Sequence, residues 1–290
     1  MRALAELAMR GPRQAIALAT VFACIPMLFW VSAAIIALVV LRRGSSEGLK
    51  IFAWAALPGI AWAGMGQFST IIGLTTTVAL ALVLRQTVSW QKTLLALLPA
   101  GAIIALTLAQ LAPQQIALVG ELVTTFVRDY LSQAGQNPDN LVEAIKPLVQ
   151  YGVIGVVTWF NLISCILGLV LARAWQAQLY NPGGFRDEFH RIRLPVVIAM
   201  GLLTFTVLGA TFVPFLLVLV PAATLPLLVA GLSMVHALAR IRKLSSFWLT
   251  GLYILLILVT QLAYPVIVLT ACLDSVFDFR TRASNRLHQG

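Results

Sequence analysis

The sequence is short of charge. Asp, Glu, Lys and Arg make up 10% of its 290 residues, against roughly 25% in soluble domains. It has three histidines and three cysteines. Cys24, Cys165 and Cys272 stand alone, with no CxxC and no Cys/His pairing, so no disulfide framework and no metal site is written in them. The signatures HExxH, GxxxxGK[ST] and GxSxG are missing, and no cofactor is expected. No Asp, Glu, Lys or Arg sits at the centre of a clear apolar run. Ionisable groups at bilayer mid-depth are costly and mark ion or proton routes. Their absence argues against an antiporter with a buried carboxylate and against intramembrane aspartyl or metalloprotease chemistry.

What the chain does contain is hydrocarbon, 60% of all residues. The apolar runs are long and do not alternate, which in lipid means helices. The expected fold is all-α: a polytopic transmembrane helical bundle forming a single membrane domain over 1–290. The formal net charge is +10. Its basic residues fall in blocks at the ends of apolar runs: Arg10 and Arg13, Arg42 and Arg43, Arg85 and Lys92, Arg240 to Lys243, Arg280 to Arg286. That is the positive-inside pattern of membrane helices, not the aromatic-interleaved surface of a nucleic-acid binder. Membrane lipids are therefore expected partners and nucleic acid is not.

The runs divide as follows. Residues 3–9 suggest a short interfacial helix, and 14–41 an apolar segment broken by Pro26. "GMGQFST" at 64–70 splits 51–84 into two spans. A span follows at 93–112. In 113–147, Leu118, Leu122, Phe126 and Tyr130 recur four apart. Asp139, read as an N-cap, then opens a second stretch with Leu141, Ile145 and Leu148. This predicts an outer insert of two amphipathic helices lying on the membrane or capping the bundle. Further spans are read at 149–172, within 195–239, and within 246–279. The total is about eight membrane segments, with the basic ends on the cytoplasmic side of a bacterial inner membrane.

Two polar signatures interrupt the hydrocarbon. "NPGGFRDEFHRIRLP" (181–195) opens on a turn, Asn181, Pro182, Gly183 and Gly184. Phe185, Phe189 and Ile192 then share a helical face, with Glu188, Arg191 and Arg193 around the rest, before Pro195 starts the next span. The expected form is a short cytoplasmic interfacial helix with its aromatics among lipid headgroups. "LDSVFDFRTR" (273–282) places Asp274 and Asp278 four apart, where like charges repel unless a cation is near. Arg280, Arg282 or an arginine of the 186–193 loop can supply it, so the two signatures are expected to pack together.

Residues 181–185, 188–189 and 193–195 as they stand, together with Asp274-Ser275 and Phe277-Asp278-Phe279-Arg280, resemble the YybS-like family. The opening MRALAELAMRG and the later LRRG are similar too. This bacterial family of unknown function is itself distantly similar to the S components of energy-coupling-factor transporters and to the cell-shape protein MreD. The resemblance implies an S-component-like bundle. The chain departs from a six-helix S component in its length, its extra spans and its 113–147 insert.

Function is expected to be non-enzymatic. One reading is binding of a small neutral or lipid-like ligand, with Gln67, Gln110, Asn161 and Gln261 lining a pocket between helices, and transport energised by a cytoplasmic ATPase partner. The alternative is an envelope-assembly scaffold recruiting protein partners through 181–195 and the C-terminal Asp/Arg segment. Lipid enzymology, with His190 or His236 as acid/base group, ranks last.

Overall fold

The computed structural model describes residues 2–288, and the regular elements among them are helical. In chain order these are α1 (Arg2–Arg10), α2 (Pro12–Ala23), α3 (Phe29–Arg43), α4 (Ser45–Gly64), α5 (Ser69–Thr87), α6 (Trp90–Leu95), α7 (Leu97–Leu111), α8 (Pro113–Gln133) and α9 (Asp139–Tyr180). They continue with α10 (Gly184–Phe189), α11 (Val196–Phe212), α12 (Val220–Ile241), α13 (Ser246–Leu258), α14 (Thr260–Phe277) and α15 (Phe279–His288). Among the described residues, six stretches are long and apolar enough to cross a membrane: Pro26–Arg43, Ser69–Thr87, Trp90–Leu111, Asp139–Tyr180, Val220–Ile241 and Thr260–Phe277. Val196–Gly209 and Ser246–Leu258 are shorter apolar helices.

Proline and glycine set most of the breaks. Pro26 divides the first apolar run into α2 and α3, joined through a 3-10 turn at Pro26–Leu28. Gly66, at φ 84°, turns the chain between α4 and α5. The helix α3 is apolar on all sides and lies in the middle of the bundle, buried at every residue from Val31 to Val40. Such a helix needs neighbours all round, and it packs against α2, α4, α5 and α9. On the other side, α12 and α14 meet backbone to backbone. A Cβ placed on Gly231 would lie 2.4 Å from the Ile267 carbonyl oxygen, a small-residue contact of the membrane type.

The insert differs from expectation. Its second half is not a separate helix but the start of α9, which runs unbroken through Pro147 for 42 residues, about 63 Å at 1.5 Å per residue. That exceeds the ~30 Å hydrocarbon layer. Helix α8 packs back against α9, and α8 and the first turns of α9 form a hairpin. Buried Ile116 and Gly120 on α8 and buried Val142 on α9 hold it closed. Leu118, Leu122, Phe126 and Tyr130 are all exposed and lie off this contact. Asp139 is the first helical residue, and its N–H is accepted by Asn137 Oδ1 at 3.2 Å.

Candidate functional site: the basic end of the bundle

Because successive helices run up and down, the basic blocks at their ends collect at one end of the molecule. Side chains there bond to the exposed carbonyls of neighbouring helix ends. Arg43 donates to Met9 O at 2.5 Å. Arg85 Nη1 donates to Val40 O at 2.7 Å and Leu41 O at 3.0 Å, closing the C-terminus of α3, where carbonyls lack helical partners. Gln91 donates to Arg193 O.

The most highly connected side chain described at this end is Arg280. Its Nε donates to Asp274 Oδ2 at 3.1 Å. Nη1 reaches His190 O at 2.6 Å and Ser233 Oγ at 3.2 Å. Nη2 reaches Ile192 O at 2.8 Å and Ala230 O at 3.4 Å. One guanidinium thus ties α14, α12 and the 181–195 loop together. Asp274 Oδ1 also accepts the Phe279 N–H at 3.1 Å. The Asp274 side chain is only 2% exposed and that of Arg280 12%. The carboxylate sits in the last turn of α14 rather than mid-span, and its full complement of donors is what makes its burial tolerable.

Asp278 pairs with Arg193 at 2.8 Å, and Arg193 Nη2 also donates to Ser275 O at 3.0 Å. Burial pushes the Asp278 carboxyl upward, but the Thr281 N–H and the Arg193 guanidinium outweigh it, so its pKa lies below the ordinary value. The two aspartates of the C-terminal signature are therefore neutralised by different arginines.

The loop differs from its sequence reading. Helix α10 covers Gly184–Phe189 alone, and Ile192 and Arg193 lie beyond it. Phe185 and Phe189 are half-buried against aromatic neighbours, Phe185 6.0 Å from the Trp90 ring and Phe189 5.4 Å from the His236 ring, and Ile192 is buried. Apolar rings this close to the bundle gain by covering it. The acidic residues bypass the expected Arg191: Glu188 pairs with Arg173 of α9, and Asp187 with Arg240 of α12 at 2.5 Å. The Arg240 bond holds the Asp187 pKa below its usual value. Gly183 takes φ 90°, a left-handed conformation that favours glycine, so the Asn181–Gly184 turn needs that glycine. Pro195 caps α11, its carbonyl accepting the Ala199 N–H at 2.9 Å.

Thus Asn181, Gly183, Gly184, Phe185, Glu188, Phe189, Arg191, Arg193, Pro195, Asp274, Asp278 and Arg280 gather at one end. The four polar ligand candidates do not gather. Gln67 is exposed in the α4–α5 turn, and Gln110 is exposed near the end of α7. Asn161 is buried in α9, donating to Val157 O at 2.9 Å, with no partner for Oδ1 among the described residues. Gln261 lines a groove of about 300 Å³ with Trp159, Thr224 and Tyr264.

Sequence reasoning overlooked Arg173 and Ser233. Arg173 is a cation inside what reads as the continuation of an apolar helix, and that incongruity was its signal. Ser233 carries none; its Oγ donates to Ile192 O at 3.0 Å only because α12 passes under the loop. His190 and His236 also come together, their ring centroids 6.5 Å apart. His236 Nδ1 meets Leu232 O at 2.8 Å and Nε2 meets the Tyr253 hydroxyl at 3.3 Å. Both ring nitrogens are thereby occupied. Partial burial, then Arg240, lowers the His190 pKa below its ordinary 6.5.

No family model, no curated protein and no solved structure matches this chain.

Proposed function

We propose that this protein is a non-enzymatic scaffold of the bacterial inner membrane whose basic end is its cytoplasmic docking face. The observation that carries this is the Arg280 clamp. A loop serving only to anchor a helix can remain solvated, whereas this one is fixed to three elements through a buried ion pair. A fixed backbone presents its outward side chains with less ordering cost on binding. Arg186, Arg242 and Lys243 face outward there, so the partner surface is acidic. A cytoplasmic ATPase or the cytoplasmic part of another membrane protein would suit. The resemblance to YybS-like proteins, and through them to MreD, fits this role.

Ligand binding is the second reading. The buried α3 fills the centre where an S-component pocket would be expected, which places it second. In its favour is the apolar groove beside Gln261, where the Tyr264 hydroxyl holds Trp159 Nε1 at 3.0 Å. A lipid-like molecule would suit it better than a polar solute.

Crosslinking and affinity purification from membranes test the scaffold. The Arg186→Glu/Lys243→Glu variant should lose a co-purifying partner by about tenfold or more, as like charges across an interface cost several kcal/mol, while its melting temperature stays unchanged. Equal recovery of the same proteins with both chains would end the scaffold reading.

A further inference from the structure

At the same end, but apart from the outward side chains proposed to meet a partner, lies a cavity of about 610 Å³. Its walls are the C-terminal ends of α3 and α5, the α5–α6 link, α9 and the 188–192 segment. Four arginines line it, Arg42, Arg85, Arg173 and Arg191, with one carboxylate, Glu188. Arg173 already neutralises Glu188, and its third nitrogen donates to Gln176 Oε1 at 3.1 Å. The remaining lining is positive.

Arg42 and Arg85 are held in place without being neutralised. Arg42 lies over the Tyr180 ring, 4.0 Å from its centroid. Arg85 is fixed through Nη1 to two carbonyls of α3. Arg191 makes no ion pair or side-chain hydrogen bond among the described residues. Trp90, 7% exposed, contributes a wall to the same cavity. The lining therefore has donors and positive charge in excess, and the ligand it suits is an oxyanion with several acceptor oxygens.

The surroundings indicate where that oxyanion comes from. Val88, another lining residue, is 86% exposed and left-handed at φ 48°, a conformation rare for a β-branched side chain. An exposed apolar residue beside a basic cavity suits the boundary between headgroups and acyl chains. The basic ends of membrane helices face the leaflet that carries anionic lipid, and basic pockets between such helices take phosphate headgroups. We infer that the cavity bounded by Arg42, Arg85, Trp90 and Arg191 is a binding site for the phosphate headgroup of an anionic membrane lipid. This goes beyond the scaffold reading; the two share the sidedness of the basic end, but lipid binding does not require that a protein partner docks.

The test uses the full chain purified in neutral detergent, titrated with phosphatidylglycerol, phosphatidylcholine or inorganic phosphate while thermal unfolding is followed. Phosphatidylglycerol should raise the melting temperature saturably and phosphatidylcholine should not. Arg42→Gln/Arg191→Gln should weaken the apparent phosphatidylglycerol affinity by about tenfold or more, each cation near the surface contributing on the order of 1 kcal/mol. Arg10→Gln/Arg13→Gln removes the same charge elsewhere at this end and should leave that affinity unchanged. Equal responses to the two lipids, or equal losses in the two double variants, would overturn a defined site. Competition by inorganic phosphate, with the same stabilisation, would assign the cavity to a soluble phosphate compound and overturn the lipid. Should the Arg42/Arg191 variant fail to fold, the wild-type comparison of the three probes still decides whether an anionic lipid is selected.

Discussion

At the scale of single residues, Arg280 has the most to lose. Removing it leaves Asp274 charged and buried, and strips donors from the carbonyls of His190, Ile192 and Ala230. Breaking one side of a buried ion pair costs about 3–5 kcal/mol, whereas replacing both partners by apolar groups is often close to neutral. Arg280→Leu should therefore be strongly destabilised, and Arg280→Leu/Asp274→Leu less so than the single variant. A double-mutant cycle by denaturant unfolding in detergent checks this, and strictly additive losses would contradict the clamp. The sequence shows half of this arrangement. Two aspartates four apart demand cations, and arginines are near. Which arginine takes which carboxylate is not legible, because the Arg193 contact with Ser275 spans 82 residues and the Arg280 contact with His190 spans 90. Local spacing has no access to pairs created by packing.

At the scale of elements, the 181–195 loop is pinned from both sides, by Arg280 beneath and by the Glu188–Arg173 and Asp187–Arg240 pairs flanking it. His190 within it has a lowered pKa, from burial first and Arg240 second. The unfolded chain therefore binds more protons than the folded chain just below pH 6.5, so stability falls as the pH drops through that value. His190→Gln should reduce this acid sensitivity, read as the change in melting temperature between pH 7.5 and pH 5.5. An identical pH profile in the variant would show that the histidine does not contribute. The turn at 181–184 is written in its glycines, and the structure keeps it. The packing of Phe185 and Phe189 against other rings is not, because a helical face of aromatics looks the same whether it meets lipid or protein. The continuity of α9 was hidden for a related reason. Pro147 and the charges around it resemble a boundary, and only packing against α8 shows that the helix continues.

At the scale of the whole molecule, hydrophobicity made the architecture readable: long apolar runs became helices, and the breaks fell near the predicted Pro and Gly positions. The exclusion of ionic groups from the centre largely held. Asp274 and Arg173 are enclosed, but both lie near the basic end and both are paired. The sidedness of that end underlies the docking face and the headgroup site alike, and it can be measured directly. In a Cys24→Ser background, single cysteines are placed at Gln136, in the exposed α8–α9 turn, and at Arg186, in the loop. A membrane-impermeant maleimide is then applied to spheroplasts. Labelling of Gln136→Cys at once, and of Arg186→Cys only after lysis, is the predicted result. Labelling of Arg186→Cys in intact spheroplasts would put the basic end outside and contradict the account.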